Sequence, residues 1–374
     1  MNTRRTLTAL IGGLSVVVAC AAPGSAAGTS VTPAALGPTS VLKVSGNHLV
    51  TDGGRTIRLI GMHKEGLDYQ CIYDGAGYYD GPHDQASVEA MKRWNINTVR
   101  LSLDEDCWLN RHGVASGGTG YRNAVINYIK LFRANGIFVV LDLHSTSNGL
   151  TGALGLPMPG PASAQLWTSV ALALKSIPGI VFDPYNEPFG VSWNCWKSGC
   201  WVPAGVVDNT HYKGYFAVGL QRLVTVIRAA GAKQPIVLGG LDFSRDDSGW
   251  AAHKPYDAQN QLIVGEHNYG PLGNQNGNDC ADDCRAVLAT LAQKYPVTMT
   301  EIGQIGCTHE YVDDLMAWAD TKGVGYLAFT WNAPNPDGWD CNGPALISDY
   351  NEPDSTPTGY GVGVRDHFLS LNTQ

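Results

Sequence analysis

Side chains that can do chemistry recur at the ends of short apolar segments along this chain. Asn186-Glu187-Pro188 ends one segment and Glu301 ends another, while guanidinium, imidazole and phenol groups end others. Carboxylates can act as nucleophiles or exchange protons, and the other groups can orient them or keep them ionised. Ionisable groups are costly in apolar segments unless they serve such a purpose, so the recurrence predicts one shared site. Its members in chain order are Arg100, His144, Asn186, Glu187, His267, Tyr269, Glu301 and Trp331.

Eight such segments, rich in Val, Ile and Leu, have the character of parallel strands that are buried on both faces. Amphipathic stretches typical of helices lie between them. The predicted strands are Ile57–Gly61, Thr98–Leu103, Phe138–His144, Ile180–Asn186, Ile236–Gly240, Leu262–Asn268, Val297–Glu301 and Tyr326–Trp331. The predicted helices are Gln85–Trp94, Tyr121–Asn135, Ala162–Lys175, His211–Ala230, Asp282–Tyr295 and Glu310–Lys322, with shorter pieces near Trp250 and over Arg365–Leu371.

This alternation predicts a (β/α)8 barrel, in which functional side chains gather at the C-terminal ends of the strands. An open doubly wound sheet would normally show a glycine fingerprint after its first strand, and Gly61-Met62-His63 starts no such fingerprint. The segment from Leu42 to Thr51, with Gly46-Asn47 in its middle, predicts a β-hairpin that plugs the barrel floor.

The motifs at the strand ends, taken in order, resemble glycoside hydrolase family 5, the cellulase-like barrels. The resemblance extends from about Val41 to the C-terminus, and related families of the same clan share the two glutamates. Its most specific motif is Tyr185-Asn186-Glu187-Pro188 on the fourth strand, followed by Glu301-Ile302-Gly303 on the seventh. The other matching residues are Arg100, Asp142-x-His144, His267-x-Tyr269 and Trp331.

The resemblance implies hydrolysis of β-glycosidic bonds with retention of configuration, with Glu301 as nucleophile and Glu187 as acid/base. That mechanism needs two carboxyls about 5–5.5 Å apart, of which one is ionised and the other can hold a proton. We expect Arg100 and Tyr269 to keep Glu301 ionised. We expect Asn186 to bond the sugar 2-OH, an interaction that strengthens in the transition state.

The remaining site residues have less specific predicted roles. His144 and His267 either orient the substrate and the carboxylates or make structural hydrogen bonds. Trp331 is expected to form the floor of the subsite before the scissile bond, because sugar C–H groups stack on indole. From strand alternation we expect Glu266 to point away from His267, and Asp142 to point away from His144.

Two further sets of residues fall in predicted loops and have two interpretations each. The residues after the first predicted strand either line a distal subsite or form a solvated loop; they are His63, Lys64, Glu65 and Asp68. Loop tryptophans either extend the cleft or pack the loops; they are Trp108, Trp193, Trp196, Trp201, Trp250 and Trp339.

The predicted function is that of an endo-acting β-1,4-glucanase without a cofactor or a metal, acting on a polysaccharide or oligosaccharide. A β-mannanase, or another β-glucan or β-glycoside hydrolase of the same family, is the alternative within that class. A catalytically inactive carbohydrate-binding barrel is the alternative from another class, and the loss of Glu187 or Glu301 would have favoured it. A metal-dependent hydrolase would need several His and Asp ligands within reach of one another, and the histidines here lack carboxylate partners in the right number.

Charge and the N-terminus bear on partners and location. A net charge of -8 argues against nucleic acid or anionic membranes as partners, and we expect a monomer. Residues 1–27 predict a signal peptide whose apolar segment, Thr6 to Ala19, is too short to span a bilayer, which indicates secretion. Val17-Val18-Ala19-Cys20 also resembles a lipoprotein box, so a lipid anchor at Cys20 is the alternative. A short flexible lead is expected over 28–40, and a single catalytic domain over 41–374.

The cysteines other than Cys20 number eight, an even count that suggests disulfides in an oxidising compartment. Two pairs are close in sequence, and neighbouring strands bring the loops that carry the other two pairs side by side. The expected pairs are Cys71–Cys107, Cys195–Cys200, Cys280–Cys284 and Cys307–Cys341.

Overall fold

Eight parallel strands close into a barrel, and helices connect most successive strands. The computed structural model describes residues 36–73, 75–146, 155–207, 209–270, 283–333, 344–353 and 359–371. These residues belong to one compact unit, Ala35–Gln374. The closed parallel barrel confirms the predicted (β/α)8 fold.

The strands and helices are numbered here in chain order. The strands are β1 Leu42–Ser45, β2 His48–Thr51, β3 Thr56–Ile57, β4 Ile60–Lys64, β5 Thr98–Asp104, β6 Phe138–Ser145, β7 Ile180–Asp183, β8 Trp201–Val202, β9 Gly205–Val207, β10 Thr210–Tyr212, β11 Tyr215–Phe216, β12 Ile236–Gly239, β13 Leu262–Tyr269, β14 Val297–Gly303 and β15 Gly325–Ala328. The helical segments are α1 Gln85–Arg93, α2 Glu105–Leu109, α3 Thr119–Ala134, α4 Pro161–Leu174, α5 Trp193–Ser198, α6 Gly219–Ala229, α7 Leu241–Ser244, α8 Trp250–His253, α9 Asp283–Leu291, α10 Glu310–Lys322 and α11 Gly359–Ser370, with a 3-10 turn at Gln70–Ile72. The barrel runs in the order β4-β5-β6-β7-β12-β13-β14-β15 and closes on β4.

The predicted hairpin plugs one end of the barrel. Ser45 pairs with His48, so Gly46 and Asn47 form a two-residue turn, and Gly46 has a φ of 61° that suits this turn. The hairpin buries leucines against inward-facing side chains at the beginnings of the barrel strands. We call this apolar cluster the floor; it consists of Leu42, Leu49, Ile57, Leu59, Phe138, Val140, Val181, Val237, Ile263 and Leu327.

The first barrel strand begins later than predicted. Thr56–Ile57 pairs with β2 in the small sheet of the floor, and the barrel strand itself is Ile60–Lys64. The sequence stays largely apolar from Ile57 to Met62, so hydropathy does not mark where the chain leaves one sheet for the other. The shift moves His63 from a predicted loop onto the strand.

The helix predicted over His211–Ala230 is also wrong in its first half. Thr210–Tyr212 and Tyr215–Phe216 are strands of two small antiparallel pairs in the loop after β7, and the helix begins at Gly219. β-branched and aromatic residues favour strands here, because they pack well across an antiparallel pair.

The chain before the floor is partly described. The Arg133 guanidinium donates to the carbonyls of Gly37, Pro38 and Ser40 at 3.1, 3.2 and 3.1 Å, so the end of the predicted flexible lead is held against α3. The predicted signal peptide and Cys20 lie outside the described residues. Within the described ranges, no helix has the length and apolar composition of a bilayer span.

Two expected disulfides are present in the described residues. Cys71–Cys107 joins the loops after β4 and β5 with an S–S distance of 2.06 Å, and Cys195–Cys200 closes a short loop after β7 at 2.03 Å. Cys284 and Cys307 are also disulfide-bonded. Their predicted partners, Cys280 and Cys341, lie outside the described residues.

Candidate active site

Glu187 lies just beyond the fourth barrel strand, on a segment that is fixed by hydrogen bonds rather than by a sheet. The Tyr185 hydroxyl donates to the Leu156 carbonyl at 2.5 Å. The Ser244 hydroxyl donates to the Asn186 carbonyl at 2.7 Å. These contacts flank Glu187 on its N-terminal side, so its backbone has little freedom even though β7 ends at Asp183.

Glu301 owes its position to irregularities in the strands around it. The pairing of β13 with β14 shifts register between Glu266 and His267, which brings His267 directly opposite Glu301. The pairing of β14 with β15 is irregular between Met299 and Ile302. Bulges of this kind redirect side chains, and here they bring a carboxylate and an imidazole together at the end of the barrel.

Arg100 on β5 lies fully buried at the centre of the site and binds three carboxylates and one amide side chain there. Its guanidinium donates to Glu301 Oε1 at 2.6 Å, to Asn186 Oδ1 at 2.8 Å and to Asp183 Oδ2 at 3.0 Å, and it lies 3.1 Å from Asp142 Oδ1. Burial opposes the cation, but Asp142, Asp183 and Glu301 outweigh burial and raise the pKa of Arg100. Arg100 therefore supplies a permanent positive charge beneath Glu301.

Glu301 receives further donors and is held as an anion. The Tyr269 hydroxyl donates to its Oε2 at 2.5 Å, His267 Nδ1 lies 3.4 Å from the same oxygen, and His63 Nδ1 lies 3.5 Å from Oε1. Burial alone would raise the pKa of Glu301, but the charges of His267 and Arg100 hold it well below its usual range. The structure thus brings both supports predicted for Glu301 into contact with it.

Glu187 lies beside this anion in a more open setting. Its Oε1 is 2.8 Å from His267 Nδ1, and its side chain is 32% exposed, compared with 4% for Glu301. One oxygen of each glutamate and one His267 nitrogen all lie within 4.8 Å of one another. The arrangement pairs a deep, ionised carboxylate with a second carboxyl that solvent and ligands can reach.

His144 and Asp142 are in contact, and the prediction that they point apart is wrong. The two side chains are 2.7 Å apart, because residues two positions apart on a strand face the same side. Burial alone would lower the pKa of His144, but its hydrogen bond and charge pairing with Asp142 raise it to about 10. Glu266 does point away from His267, as predicted, and it accepts a hydrogen bond from Asn268 at 3.1 Å.

Trp331 does not form a platform in the cleft, which corrects the prediction. Its side chain is only 2% exposed and packs edge-on against Trp94, with ring centroids 4.9 Å apart. Phe329, two residues earlier, lines the cavity that contains both glutamates and contacts the rings of His63 and Tyr269. Alternate residues of a strand face the same side, and Phe329 lies two positions after the inward-facing floor residue Leu327. The sequence therefore contained a signal that Phe329 points into the barrel mouth.

His63 is the main functional residue that the sequence interpretation misplaced. Its Nε2 lies 2.6 Å from the Ser102 hydroxyl, and its Nδ1 lies 3.0 Å from Arg100 Nη1. Burial, followed by the charge of Arg100, lowers the pKa of His63 to about 3, so its ring is neutral at ordinary pH. A neutral His63 fills the space beside Arg100 and Glu301 without competing with Arg100 for the carboxylate.

Of the other residues after the first predicted strand, Lys64 and Asp68 are buried rather than solvated, and Glu65 is half-buried. Lys64 and Asp68 are 2% and 3% exposed, and Lys64 Nζ donates to Asn332 Oδ1 at 2.9 Å. Burial, followed by the charge of Asp68, raises the pKa of Glu65 to about 8. Glu65, Asp68 and His144 have ligand-type atoms within 4.8 Å of one another, so these residues extend the polar part of the site.

The loop tryptophans divide between packing and exposure. Trp108, Trp196 and Trp250 are completely buried, which favours the packing interpretation for them. Trp193 packs partly buried against His253, whereas Trp201 is 55% exposed. Trp339 lies outside the described residues.

The site opens into a cavity of about 460 Å³. The geometry also brings together groups that could hold a cation, among them His63, Asp142 and His144. Both ring nitrogens of His63 are already engaged by protein groups, and His144 Nδ1 faces Asp142. The cavity is lined by His144, Asn186, Glu187, Phe243, Arg245, His267, Tyr269, Glu301, Ile305, Phe329 and Pro344.

The family model for Cellulase (glycosyl hydrolase family 5) matches residues 52–335, which is most of the chain. The chain belongs to glycosyl hydrolase family 5. The match contains all eight residues that the sequence pattern places in one site, from Arg100 to Trp331.

Curated relatives of this family 5 chain include an endoglucanase and a mannosidase. Endoglucanase CelA of Streptomyces lividans is 23% identical over 299 residues, which cover 77% of this chain and 54% of that protein. Mannan endo-1,4-beta-mannosidase of the same organism is 24% identical, covering 67% of this chain and 58% of that protein. The chain therefore spans a little over half the length of these relatives.

Solved structures with the same fold cover most of the barrel. The β-glucanase SdGluc5_26A from Saccharophagus degradans aligns with a TM-score of 0.62 at 17% identity, over 88% of this chain and 93% of that chain. The catalytic domain of Thermobifida fusca endoglucanase Cel5A (E5) aligns with a TM-score of 0.59 at 17% identity, over 88% and 97%. At these identities the likeness establishes the fold.

Proposed function

We propose that this protein hydrolyses β-glycans with retention of configuration, with Glu301 as the nucleophile and Glu187 as the acid/base. The observation that carries the proposal is the pairing of these two carboxyls through His267, with one oxygen of each within 4.8 Å. A retaining mechanism uses carboxyls about 5–5.5 Å apart, whereas inversion needs about 6.5–9.5 Å to admit a water molecule. The contact geometry favours the narrow arrangement.

In the first step, Glu301 attacks the anomeric carbon while Glu187 transfers its proton to the departing glycosidic oxygen. Arg100 and Tyr269 each occupy one oxygen of Glu301, at 2.6 and 2.5 Å, so they hold the carboxylate ionised and fix its direction of attack. The bond between sugar and leaving group breaks, and an ester between the sugar and Glu301 forms.

In the second step, Glu187 accepts a proton from a water molecule that attacks the same anomeric carbon. The ester bond breaks, Glu301 departs as a carboxylate, and two inversions restore the β configuration. The 32% exposure of Glu187 is consistent with a residue that must meet first a leaving group and then a water molecule.

The remaining site residues suit substrate contacts near the anomeric carbon. Asn186 Oδ1 accepts from Arg100, so the amide nitrogen of Asn186 is oriented to donate to a sugar hydroxyl, which we assign as the 2-OH. His144, 19% exposed and fixed by Asp142, is placed to orient the substrate. Phe329 takes the stacking role that the sequence interpretation gave to Trp331.

We place β-1,4-glucan first and β-mannan second as substrates, with endo action. An endoglucanase and a mannan endo-1,4-beta-mannosidase are both among the relatives of this chain, and both kinds of polymer are uncharged, which suits a protein of net charge -8. Export fits this substrate class, since polysaccharides are degraded outside the cell. Mass analysis of the mature N-terminus distinguishes cleavage by residue 27 from lipidation of Cys20.

The experiment that tests the proposed function is a screen of reducing-end release over soluble and insoluble β-glucans, mannan, xyloglucan and xylan. Glu301→Gln is the matched control, because an amide keeps the shape of the side chain but cannot form the glycosyl ester. We expect release from at least one β-glycan by the wild type and loss of that release in the variant. Binding without release by the wild type would instead identify a carbohydrate-binding barrel, and equal release by both proteins would refute the role of Glu301.

A further inference from the structure

Two stacked phenyl rings form the wall of the cleft beside Glu187. Phe189 follows the Glu187-Pro188 pair, and its ring lies nearly parallel to that of Phe243, with centroids 4.5 Å apart and planes inclined by 14°. Phe243 lines the same cavity as Glu187 and Glu301, and it is 39% exposed. A large apolar side chain is thus presented to solvent at the edge of the reacting centre.

The backbone that presents Phe243 is unusual. Asp242, Phe243 and Ser244 in segment α7 have φ values of 51°, 61° and 59°, so the segment is a left-handed turn rather than an α-helix. Left-handed conformations are unfavourable for residues with a Cβ, and three in succession persist only where the surroundings impose them. Such conformations concentrate at functional positions.

The turn is fastened to the segment that carries the acid/base. The amide of Phe243 donates to the Pro188 carbonyl at 3.1 Å, and the hydroxyl of Ser244 donates to the Asn186 carbonyl at 2.7 Å. At Gly239 an added Cβ would lie 2.2 Å from the Ser244 hydroxyl, so the glycine admits this close approach. The contacts therefore position Phe243 relative to Glu187 directly.

We propose that Phe243 forms the binding subsite for the sugar of the leaving group. This inference rests on the proposed function, in which Glu187 must contact the departing oxygen. Phe243, which lines the cleft beside Glu187, would then face the departing sugar. The exposed part of the ring offers an apolar surface to sugar C–H groups. Arg245 lines the same cavity, with its guanidinium carbon 5.8 Å from the centre of the Phe243 ring.

The test compares substrates that share a glycone but differ in what leaves. β-Cellobiosyl fluoride releases a fluoride ion, which is too small to reach Phe243, whereas cellopentaose releases an oligosaccharide. If the screen identifies mannan, the corresponding mannobiosyl fluoride and mannopentaose replace them. Phe243→Ala is expected to lower kcat/KM for the pentasaccharide by about five- to tenfold, the range of an aromatic stacking contact. Its kcat/KM for the fluoride should stay within about twofold of wild type.

Two further variants serve as controls for Phe243→Ala. Phe243→Trp keeps an aromatic surface and should retain most of the pentasaccharide activity. Phe216→Ala removes a phenyl ring that is 66% exposed elsewhere, on β11, and should change neither rate. Equal losses on both substrates for Phe243→Ala would show a structural role in placing Glu187, and no loss on either would show that no leaving group contacts Phe243. Either result overturns the inference, whereas a wild type that releases sugar from no β-glycan of the screen would refute the proposed function itself.

Discussion

The two ends of the barrel interior are built on the same strands yet have opposite chemistry. The floor is apolar, and the opposite end, here called the mouth, contains His63, Arg100, Asp142, His144, Asp183, His267 and Glu301. On β6 the inward positions pass from Val140 to Asp142, and on β7 from Val181 to Asp183, within two residues. On each of these two strands, the first inward residue packs in the apolar floor and the next one contributes an ionisable group to the mouth.

Burial has different consequences for stability at the floor and at the mouth. At the floor, burial of apolar surface stabilises the fold by about 25 cal/mol per Å². At the mouth, burial of charges is unfavourable unless each charge is paired; Arg100 is shared by Asp142, Asp183 and Glu301, and His144 lies against Asp142 as a second cation. Changes at the floor should therefore alter stability alone, and changes at the mouth should alter chemistry, stability or both.

After the loss of activity expected for Glu301→Gln, the largest effect on chemistry alone should come from Glu187→Ala. Turnover of polysaccharide should fall by about 10²–10⁴-fold, since a poor leaving group needs a proton, while activated aryl glycosides should be affected far less. Azide should partly restore turnover as a β-glycosyl azide. Thermal unfolding should change little, because the side chain is 32% exposed. Equal losses on both classes of substrate would move the acid/base role to another residue.

Arg100→Met should lower the stability of the fold and also change the pH dependence of catalysis. Removing one partner of a buried charge cluster typically costs about 3–5 kcal/mol, because the carboxylates stay buried without their cation. The pKa of Glu301 should rise, since Arg100 is one of the groups that hold it low. Urea unfolding measures the first effect, and an acid limb of the kcat/KM profile displaced to higher pH measures the second. A variant with wild-type stability and an unmoved profile would contradict the central position assigned to Arg100.

Ile263→Ala is the matched change at the floor. Ile263 is completely buried and lies on β13, the strand that also carries His267. The cavity and lost burial should lower the free energy of unfolding by about 2–5 kcal/mol. At temperatures where the variant is folded, kcat/KM should remain within about twofold of wild type, as measured on the same substrate. A large loss of kcat/KM in the fully folded variant would mean that floor and mouth are coupled.

The pair between His144 and Asp142 is expected to make the stability of the fold depend on pH. The pKa of His144 is raised from 6.5 to about 10 in the fold, so the stabilising contribution is fully present below about pH 6.5. That contribution is lost as the pH rises through about 10. The difference in unfolding free energy between wild type and His144→Phe should therefore shrink over this interval. A difference that stays constant from pH 6 to about pH 10 would show that His144 is not held as a cation.

Much of this contrast could be predicted from the sequence, because it depends on residue type and on strand period. The eight apolar segments, the floor hairpin and the ionisable residues at the strand ends were all visible in the pattern. The contact between Asp142 and His144 was visible as well, since strand period two puts both on one face. That prediction was wrong because the period was misapplied to two residues on the same strand.

The positions of His63 and Trp331 and the register shift beside His267 depend on tertiary geometry, which the pattern of apolar residues does not encode. The run from Ile57 to Met62 is nearly continuous, so the crossing from the floor sheet into β4 was not marked and His63 was misplaced. The chain turns after Ala328, which directs Trp331 toward Trp94 instead of the cleft. The register shift beside His267 likewise follows from packing between strands and not from local propensity.

The central claim is that the mouth holds Glu187 and Glu301 as a retaining pair, and the anomeric configuration of the first product tests it most directly. With one oxygen of each carboxyl within 4.8 Å, a sugar held between them would present to Glu301 the face that water attacks in an inverting enzyme. Proton NMR during rapid hydrolysis of an oligosaccharide should therefore show the β anomer first, with the α anomer growing only by mutarotation. An initial α anomer would mean direct attack by water, and it would contradict the pairing of Glu187 with Glu301.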